Sequence, residues 1–476
     1  MAKFIVRIIA RSYDQLRGLD KYSLDLKEHT AREEDANRFV VSGILTEEQI
    51  QQVRSAGYIV EILSDLSRAA KDRTQEVSKA NRFSQARRSS SELRESAQTG
   101  GYMNADEVET ALLNLSDAHP DLISLIELPN KTWEGRPCRA VRVHAGNISS
   151  GATVESSDRI GILITGSMHA REWGGSDICI NFLLNLLNAY TNNTSIVYGE
   201  ITFPSSHLKK MLESIDLFVF PDVNPDGKIY SQTNDDPNLP PDEEGIWWRK
   251  NRNPAPVPNG DDSTYHKTGV DINRNFGFLW SSGIGTVNSN GTHRNQTFRG
   301  TAAFSEPETK NVKYLFDTYT NIRYYVDIHS FGEMILYSWG DDDNQSMDPD
   351  MNFRNPTYDG VRGIPKDSDY KEFIERQDES TLRTLANQMN HALQKVRGRK
   401  YRVTQAVGLY PTSATSDDYA FSRHIINENK NQKIYGFTIE FGREETGFIP
   451  PISEMKSVVE EVSAALTELC IAVASK

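Results

Sequence analysis

Thr165-Gly-Ser-Met-His-Ala-Arg-Glu-Trp173 follows a short run, Arg159 to Ile164, that is apolar and rich in β-branched residues and is ended by Gly166. Such a run reads as a buried strand. After it, Ile178, Phe182, Leu183 and Leu187 recur at helical spacing, which predicts a helix. His169 and Glu172 are thereby placed on a strand-to-helix turn, where open α/β sheets hold their ligands. An imidazole and a carboxylate three residues apart can grip one face of a zinc ion and leave positions for a third ligand and a water. The spacing alone is a weak signal. A chain with ten histidines and 66 acidic residues offers about one such pair by chance.

A third ligand is needed, and His329 is the best candidate, since it ends the strand-like run Tyr324-Tyr-Val-Asp-Ile-His329 and so emerges at a strand terminus. His266 and His293 lie in polar loops with no strand to aim them. Asp271, in Gly269-Val-Asp-Ile-Asn-Arg-Asn-Phe276, is suited to accept the free ring N–H of a metal-bound histidine. Asn273 and Arg274 follow it, a polar pair fit to grip a carboxylate, and Arg249 and Arg252 project from Trp247-Trp-Arg-Lys-Asn-Arg252. Glu440 closes the apolar strand Tyr435-Gly-Phe-Thr-Ile-Glu440, which marks it as a general base.

Composition narrows the class. With 476 residues, 37% hydrophobic and 25% charged, the chain can bury one large domain and a smaller one. A net charge of −13 argues against nucleic acid, which selects a basic surface. No stretch approaches the roughly 20 apolar residues of a membrane span. Arginines interrupt the short apolar run at the N-terminus, so no signal-peptide core is evident and a soluble protein is expected, with no compartment assigned. Cys138, Cys179 and Cys470 sit in apolar contexts and read as buried free thiols.

Three segments are expected. Residues 1–66 carry the order β-α-β-β-α-β of a ferredoxin-like unit, with Thr46 capping its second helix and Glu48 near a capping-box position. Residues 67–100 are rich in arginine and lysine with few large apolar side chains, and read as a solvated basic connector open to proteases. Residues 101–476 alternate strands and helices, which predicts an α/β domain built on a mixed sheet flanked by helices. The acidic run Asp341 to Asp350 reads as a solvated loop, with calcium binding as the minority alternative.

The motifs together carry a resemblance. His169-Ala-Arg-Glu-Trp173, Asn224-Pro-Asp-Gly227, Trp248-Arg-Lys-Asn-Arg252, Gly269 to Phe276, Ser305-Glu-Pro-Glu308, Asp327-Ile-His-Ser330, Leu409-Tyr410 and Thr438-Ile-Glu440 occur in the order of the zinc metallocarboxypeptidases of the A/B type, which the chain resembles over most of residues 102 to 476. The resemblance implies one zinc on His169, Glu172 and His329, Glu440 as general base and then acid, and Arg252 stabilising the oxyanion. It implies that Asn273, Arg274 and Tyr410 hold the substrate's terminal carboxylate and that Arg171 and Arg249 line the approach. Asp417 falls at the base of the side-chain pocket, where an acid favours C-terminal Lys or Arg. The N-terminal unit and connector are similar to the family's pro-segment. The implied partners are peptide or protein C-termini, and a monomer is expected. Phe331 stands where digestive members have Tyr, Tyr419 where Trp is common, and their disulfide has no cysteines to form it. A cell-wall peptidase acting beside a diamino acid and a non-catalytic peptide-binding protein are the alternatives.

Overall fold

The structure, a computed structural model, describes residues 2–22, 24–84, 89–145, 158–233, 245–255, 268–285, 297–427 and 432–476. His266 and His293 lie outside the described residues.

The N-terminal unit is a four-stranded antiparallel sheet in the order Asp25–Asp35, Arg38–Thr46, Lys3–Ala10, Ile59–Asp65. With the helices Tyr13–Arg17 and Glu47–Ser55 on its crossovers, this is the ferredoxin-like arrangement. Thr46 accepts from the backbone of Gln49, whose amide oxygen accepts from the Thr46 backbone N–H. The capping partner is therefore Gln49 and not Glu48, because the reciprocal bond requires the third helical residue; such a cap contributes about 1 kcal/mol. The strand Asp25–Asp35 forms one edge of the sheet, and its first half runs into the second domain.

The connector is packed, contrary to its polar composition. Helix Leu66–Gln75 buries Leu66 and Ala70, and helix Ser90–Gln98 buries Leu93 and Ala97 against the long helix Gly174–Asn192. Phe83 is fully buried in the same core. Sparse apolar residues at the right faces were enough to attach a segment whose average composition reads as solvated.

The large domain is built on eight strands in the order Arg402–Gln405, Met334–Tyr337, Tyr435–Phe441, Ile322–Ser330, Ile160–Gly166, Ile215–Phe220, Arg139–Val143, Ile123–Glu127. Tyr435–Phe441, Ile322–Ser330, Ile160–Gly166 and Ile215–Phe220 run parallel; Met334–Tyr337 joins one side antiparallel with Arg402–Gln405 parallel to it, and Arg139–Val143 and Ile123–Glu127 extend the other side antiparallel. These parallel strands are buried and largely apolar, with charged side chains confined to a few positions such as Asp327, His329 and Glu440. Chemistry gathers where parallel strands end. His329 and Glu440 are register partners on adjacent strands, and Gly166 ends the next strand over.

All three cysteines are buried and free. The acidic run differs from expectation. Asp341 and Asp342 are buried, and Asp342 accepts from the backbone of Gly363 and Ile364, so the start of this loop is folded in and not solvated. Among the described residues, no helix is long and apolar enough to cross a membrane.

Candidate metal centre and substrate cleft

The turn after Gly166 is set by close backbone approach. A Cβ on Gly166 would lie 2.9 Å from the backbone of Gly175, so only glycine lets the strand end meet the helix start. Ser167 then accepts from the backbone N–H of Ser176, and Asn224 donates to the carbonyls of Met168 and Lys250. Ala170 donates to the carbonyl of Arg249. These bonds fix the His169–Glu172 turn against the segment that carries Arg249.

Three donors converge. His169 Nδ1 lies 2.9 Å from Glu172 Oε1, His329 Nδ1 lies 2.9 Å from Glu172 Oε2, and the two Nδ1 atoms are 3.1 Å apart. Each ring turns its other nitrogen outward to a carboxylate. His169 Nε2 meets Asp271 Oδ1 at 3.2 Å, and His329 Nε2 meets Asp327 Oδ2 at 2.8 Å. A ring that donates outward from Nε2 presents the lone pair of Nδ1 inward, so two lone pairs and a carboxylate face one point. That is the donor set of a catalytic zinc site with an open fourth position. Among the described residues this is the one group of three or more His, Cys, Asp or Glu close enough to share an ion. The loop from Asp341 adds no second group of this kind.

Asp327 was missed from the sequence, although its spacing carried a signal: residues two apart on a strand share a face, so Asp327 and His329 point the same way. Thr165 and Ser416 both donate to Asp327, which holds its carboxylate in place. Behind His169, Asp271 accepts from Arg249 Nε at 2.9 Å. Burial pushes the Asp271 carboxyl up, but Arg249 and His169 outweigh it and hold the group well below the usual carboxylate range.

Glu440, Asn273, Arg274 and Asp417 line the same cavity as His169 and His329. Asp417 accepts from the Thr438 hydroxyl and from the backbone N–H of Asp418. Arg249 also lines this cavity. Arg252 does not. Its guanidinium lies 3.8 Å from the ring centre of Tyr230 and its Nε is 3.5 Å from Glu134. Arg249 thus reaches Asp271 behind the metal donors, and Arg252 lies over the Tyr230 ring.

The N-terminal unit fills the rest of the cleft. Lys27 Nζ donates to both oxygens of Glu440 at 2.8 Å and to the Ser330 carbonyl at 3.0 Å. Arg274 donates to Glu28 at 3.0 Å, Arg171 makes a two-bond pair with Asp25 at 2.6 and 2.9 Å, and the Tyr410 hydroxyl donates to the Leu16 carbonyl at 2.8 Å. Burial pushes the Asp25 carboxyl up, but Arg171 more than offsets this and holds it below its ordinary value. Arg7, Arg32 and Ser42 all donate to Glu444. What remains between the two domains is a cavity of about 20 Å³, room for roughly one water and not for a peptide.

A sequence profile of the zinc carboxypeptidases matches residues 108–465, three quarters of the chain, and includes every metal donor described above. The chain belongs to the zinc carboxypeptidase family. Carboxypeptidase B of Helicoverpa zea is 28% identical over 69% of this chain, a match that spans 66% of that relative's own length. Carboxypeptidase B of Astacus astacus is 26% identical over 76% of this chain and 93% of its own. Among solved structures, thrombin activatable fibrinolysis inhibitor is similar over the whole of both chains with a TM-score of 0.67 at 18% identity. Carboxypeptidase A from Helicoverpa armigera is similar over 99% of this chain and 98% of its own, with a TM-score of 0.69 at 19% identity. The fold is thereby shared with these two structures over essentially the full length.

Proposed function

We propose that this chain is a zinc-dependent carboxypeptidase that removes single residues from peptide C-termini, favours Lys and Arg, and is latent while its N-terminal unit is docked. The observation that carries the reading is the convergence of His169, Glu172 and His329 beside Glu440, with Arg274 in the same cavity. A base next to a metal and a fixed cation for a carboxylate are what an exopeptidase must combine.

The donor set fits zinc, which when bound supplies a Lewis acid that polarises the scissile carbonyl and acidifies water. The remaining steps belong to side chains. Asn273 and Arg274 bind the terminal carboxylate, the arginine by charge-assisted bonds that require a free C-terminus. Tyr410, released from Leu16, closes over it. Glu440 takes the proton of the attacking water and passes it to the leaving amine. Arg249, which lines the cavity, donates to the oxyanion that develops on the carbonyl. Asp271 and Asp327 keep the two histidine rings oriented. Asp417 waits in the side-chain pocket for a cation: an apolar residue there would desolvate the carboxylate without repayment, at about 1–3 kcal/mol.

The docked N-terminal unit occupies three of these groups, with Lys27 on the base, Glu28 on the carboxylate-binding arginine and Leu16 on the tyrosine. Latency follows from occupancy. The test is to separate the two domains, load the catalytic part with zinc, and assay blocked dipeptides differing only in the last residue, with and without chelator. Chelator-sensitive release of Lys and Arg ahead of Phe and Leu supports the reading. No release from any free C-terminus rejects it.

A further inference from the structure

Helix Gly174–Asn192 is buried over most of its length and rich in Ile, Leu and Phe, yet Asp177, Asn181 and Asn185 recur along it at intervals of four. That interval puts the three on one face, and each is more than nine-tenths buried. They line a cavity of about 300 Å³ bounded by this helix, the connector helix Ser90–Gln98, the helix Ile452–Ala474 and the strand Ile196–Tyr198. The cavity left in the docked catalytic cleft is about 20 Å³, and the two share no lining residue. A space of the larger size takes a small molecule.

The buried end of this cavity is short of donors. Asp177 receives one backbone N–H, that of Met103, which lies 3.2 and 3.3 Å from its two oxygens. A carboxylate can accept about four. Burial pushes the Asp177 carboxyl up to about 7, against the pull of Lys228 and Arg82, whose own ion pairs are with Asp222 and Glu107. Asn181 donates through Nδ2 to the Asp177 carbonyl at 2.8 Å, which leaves its Oδ1 as a second acceptor. Asn185 is taken up by the walls: it donates to the Tyr198 hydroxyl and accepts from Arg94 Nε at 2.7 Å. The exposed end has the opposite character. Arg94, Lys456 and Glu460 line it, and the bond through Nε holds Arg94 with its terminal nitrogens left to meet an anion. Ala97, Ala189, Met455 and Val459 add apolar wall.

We propose that this cavity is a second binding site, for a free amino acid with a cationic side chain, of which lysine is the simplest. The side-chain ammonium meets Asp177 and Asn181, the methylenes lie on the apolar wall, the α-carboxylate meets Arg94 and Lys456, and the α-ammonium meets Glu460. Each charge of the ligand then faces its opposite, and the buried carboxylate gains the donors it lacks. Such an amino acid is what release of C-terminal Lys or Arg would produce, so the site would sense product. That last step rests on the proposed function, and the binding itself does not.

Calorimetric titration of the intact chain with millimolar L-lysine at pH 8 tests it, since Asp177 is then ionised and the docked N-terminal unit leaves no room in the catalytic cleft. One L-lysine should bind per chain. Asp177→Asn should abolish binding, and Arg94→Gln, an exposed change that leaves the core alone, should weaken it at least tenfold; melting curves check that both variants fold. Asp417→Asn should bind L-lysine as the wild type does. No binding to the wild type overturns the inference, as does wild-type affinity in either folded variant of the cavity. Loss of binding in Asp417→Asn also overturns it, by placing the lysine in the catalytic pocket. So does equally tight binding of L-leucine, which lacks the inner charge, or of Nα-acetyl-lysine, which lacks the α-ammonium.

Discussion

The ammonium of Lys27 and the carboxylate of Glu440 form a direct ion pair, 2.8 Å to each oxygen, with both side chains almost completely buried. One residue belongs to the edge strand of the small domain and the other to a central strand of the large one. Breaking such a pair from one side leaves a buried charge without a partner, a loss of about 3–5 kcal/mol. Lys27→Met should therefore shift the docking equilibrium by roughly two to four powers of ten and give the uncut chain measurable activity. An uncut variant as silent as the wild type would show that other contacts hold the cleft shut.

Glu440→Gln, measured after the N-terminal unit has been removed, should fold and bind zinc yet turn over slowly. The amide keeps the shape of the carboxylate and cannot take a proton. Loss of a general base costs about 10²–10⁴-fold, and the upper end is expected where one group serves as base and acid. Turnover near wild type would place the base elsewhere, and Glu444, freed of Arg7, Arg32 and Ser42 once the unit is gone, would be the next residue to test.

Arg249→Ala and Arg252→Ala should separate cleanly. Arg249 touches Asp271 and lines the cavity, so its loss should lower kcat by about 10²–10³-fold, as for an oxyanion donor. Arg252 lies on Tyr230, so its loss should leave kcat within a few-fold of wild type. Steady-state kinetics on one blocked dipeptide decides the matter. The reverse ranking would mean that Arg252 swings into the cleft when substrate binds.

Asp417→Ile should invert the order of C-terminal preference. Wild type is expected to release Arg and Lys faster than Phe and Leu, and the variant the opposite. Competition between paired peptides, read by mass spectrometry, measures the ratio directly. An unchanged ratio would put the determinant at another residue of the pocket.

The Arg171–Asp25 pair sets the response of docking to acid. Asp25 is held below its ordinary value when docked, so its contribution is complete above the undocked value of about 3.9 and fades as pH falls from there through the lowered one. The uncut chain should accordingly stay silent from pH 8 down to pH 5. Activity appearing at pH 6 would show that a different group controls release.

Much of this site could be read from residue order because parallel sheets aim chemistry at strand ends. His329 and Glu440 were each visible as a polar residue closing an apolar run, and His169 and Glu172 followed a glycine that ended another. What sequence did not resolve was direction. Arg249 and Arg252 sit three residues apart in one irregular segment with no period to say which faces inward, and the bond from Ala170 to the Arg249 carbonyl, which fixes the choice, joins residues far apart in the chain. Lys27 was hidden for a similar reason. It lies in a polar half of an edge strand, where a lysine is usually a solvated guard against aggregation, and only the second domain makes it buried. In the connector, average polarity concealed Phe83 and Leu93, since two well-placed apolar side chains anchor a segment that a windowed average calls loose.

Leu409 and Tyr410 belong by chain to the catalytic domain, yet they are buried in one cluster with Val6, Leu16, Val41 and Val53 of the small domain. The smaller partner therefore borrows part of its interior from the larger. Once separated, it exposes the surface those two side chains had covered, and a unit of this size has little stability to spare. Departure is then favoured twice over, by the broken tether and by the weakened fold of what departs. The enzyme regains its tyrosine while the expelled unit loses the shape needed to return, so opening of the cleft behaves as a ratchet.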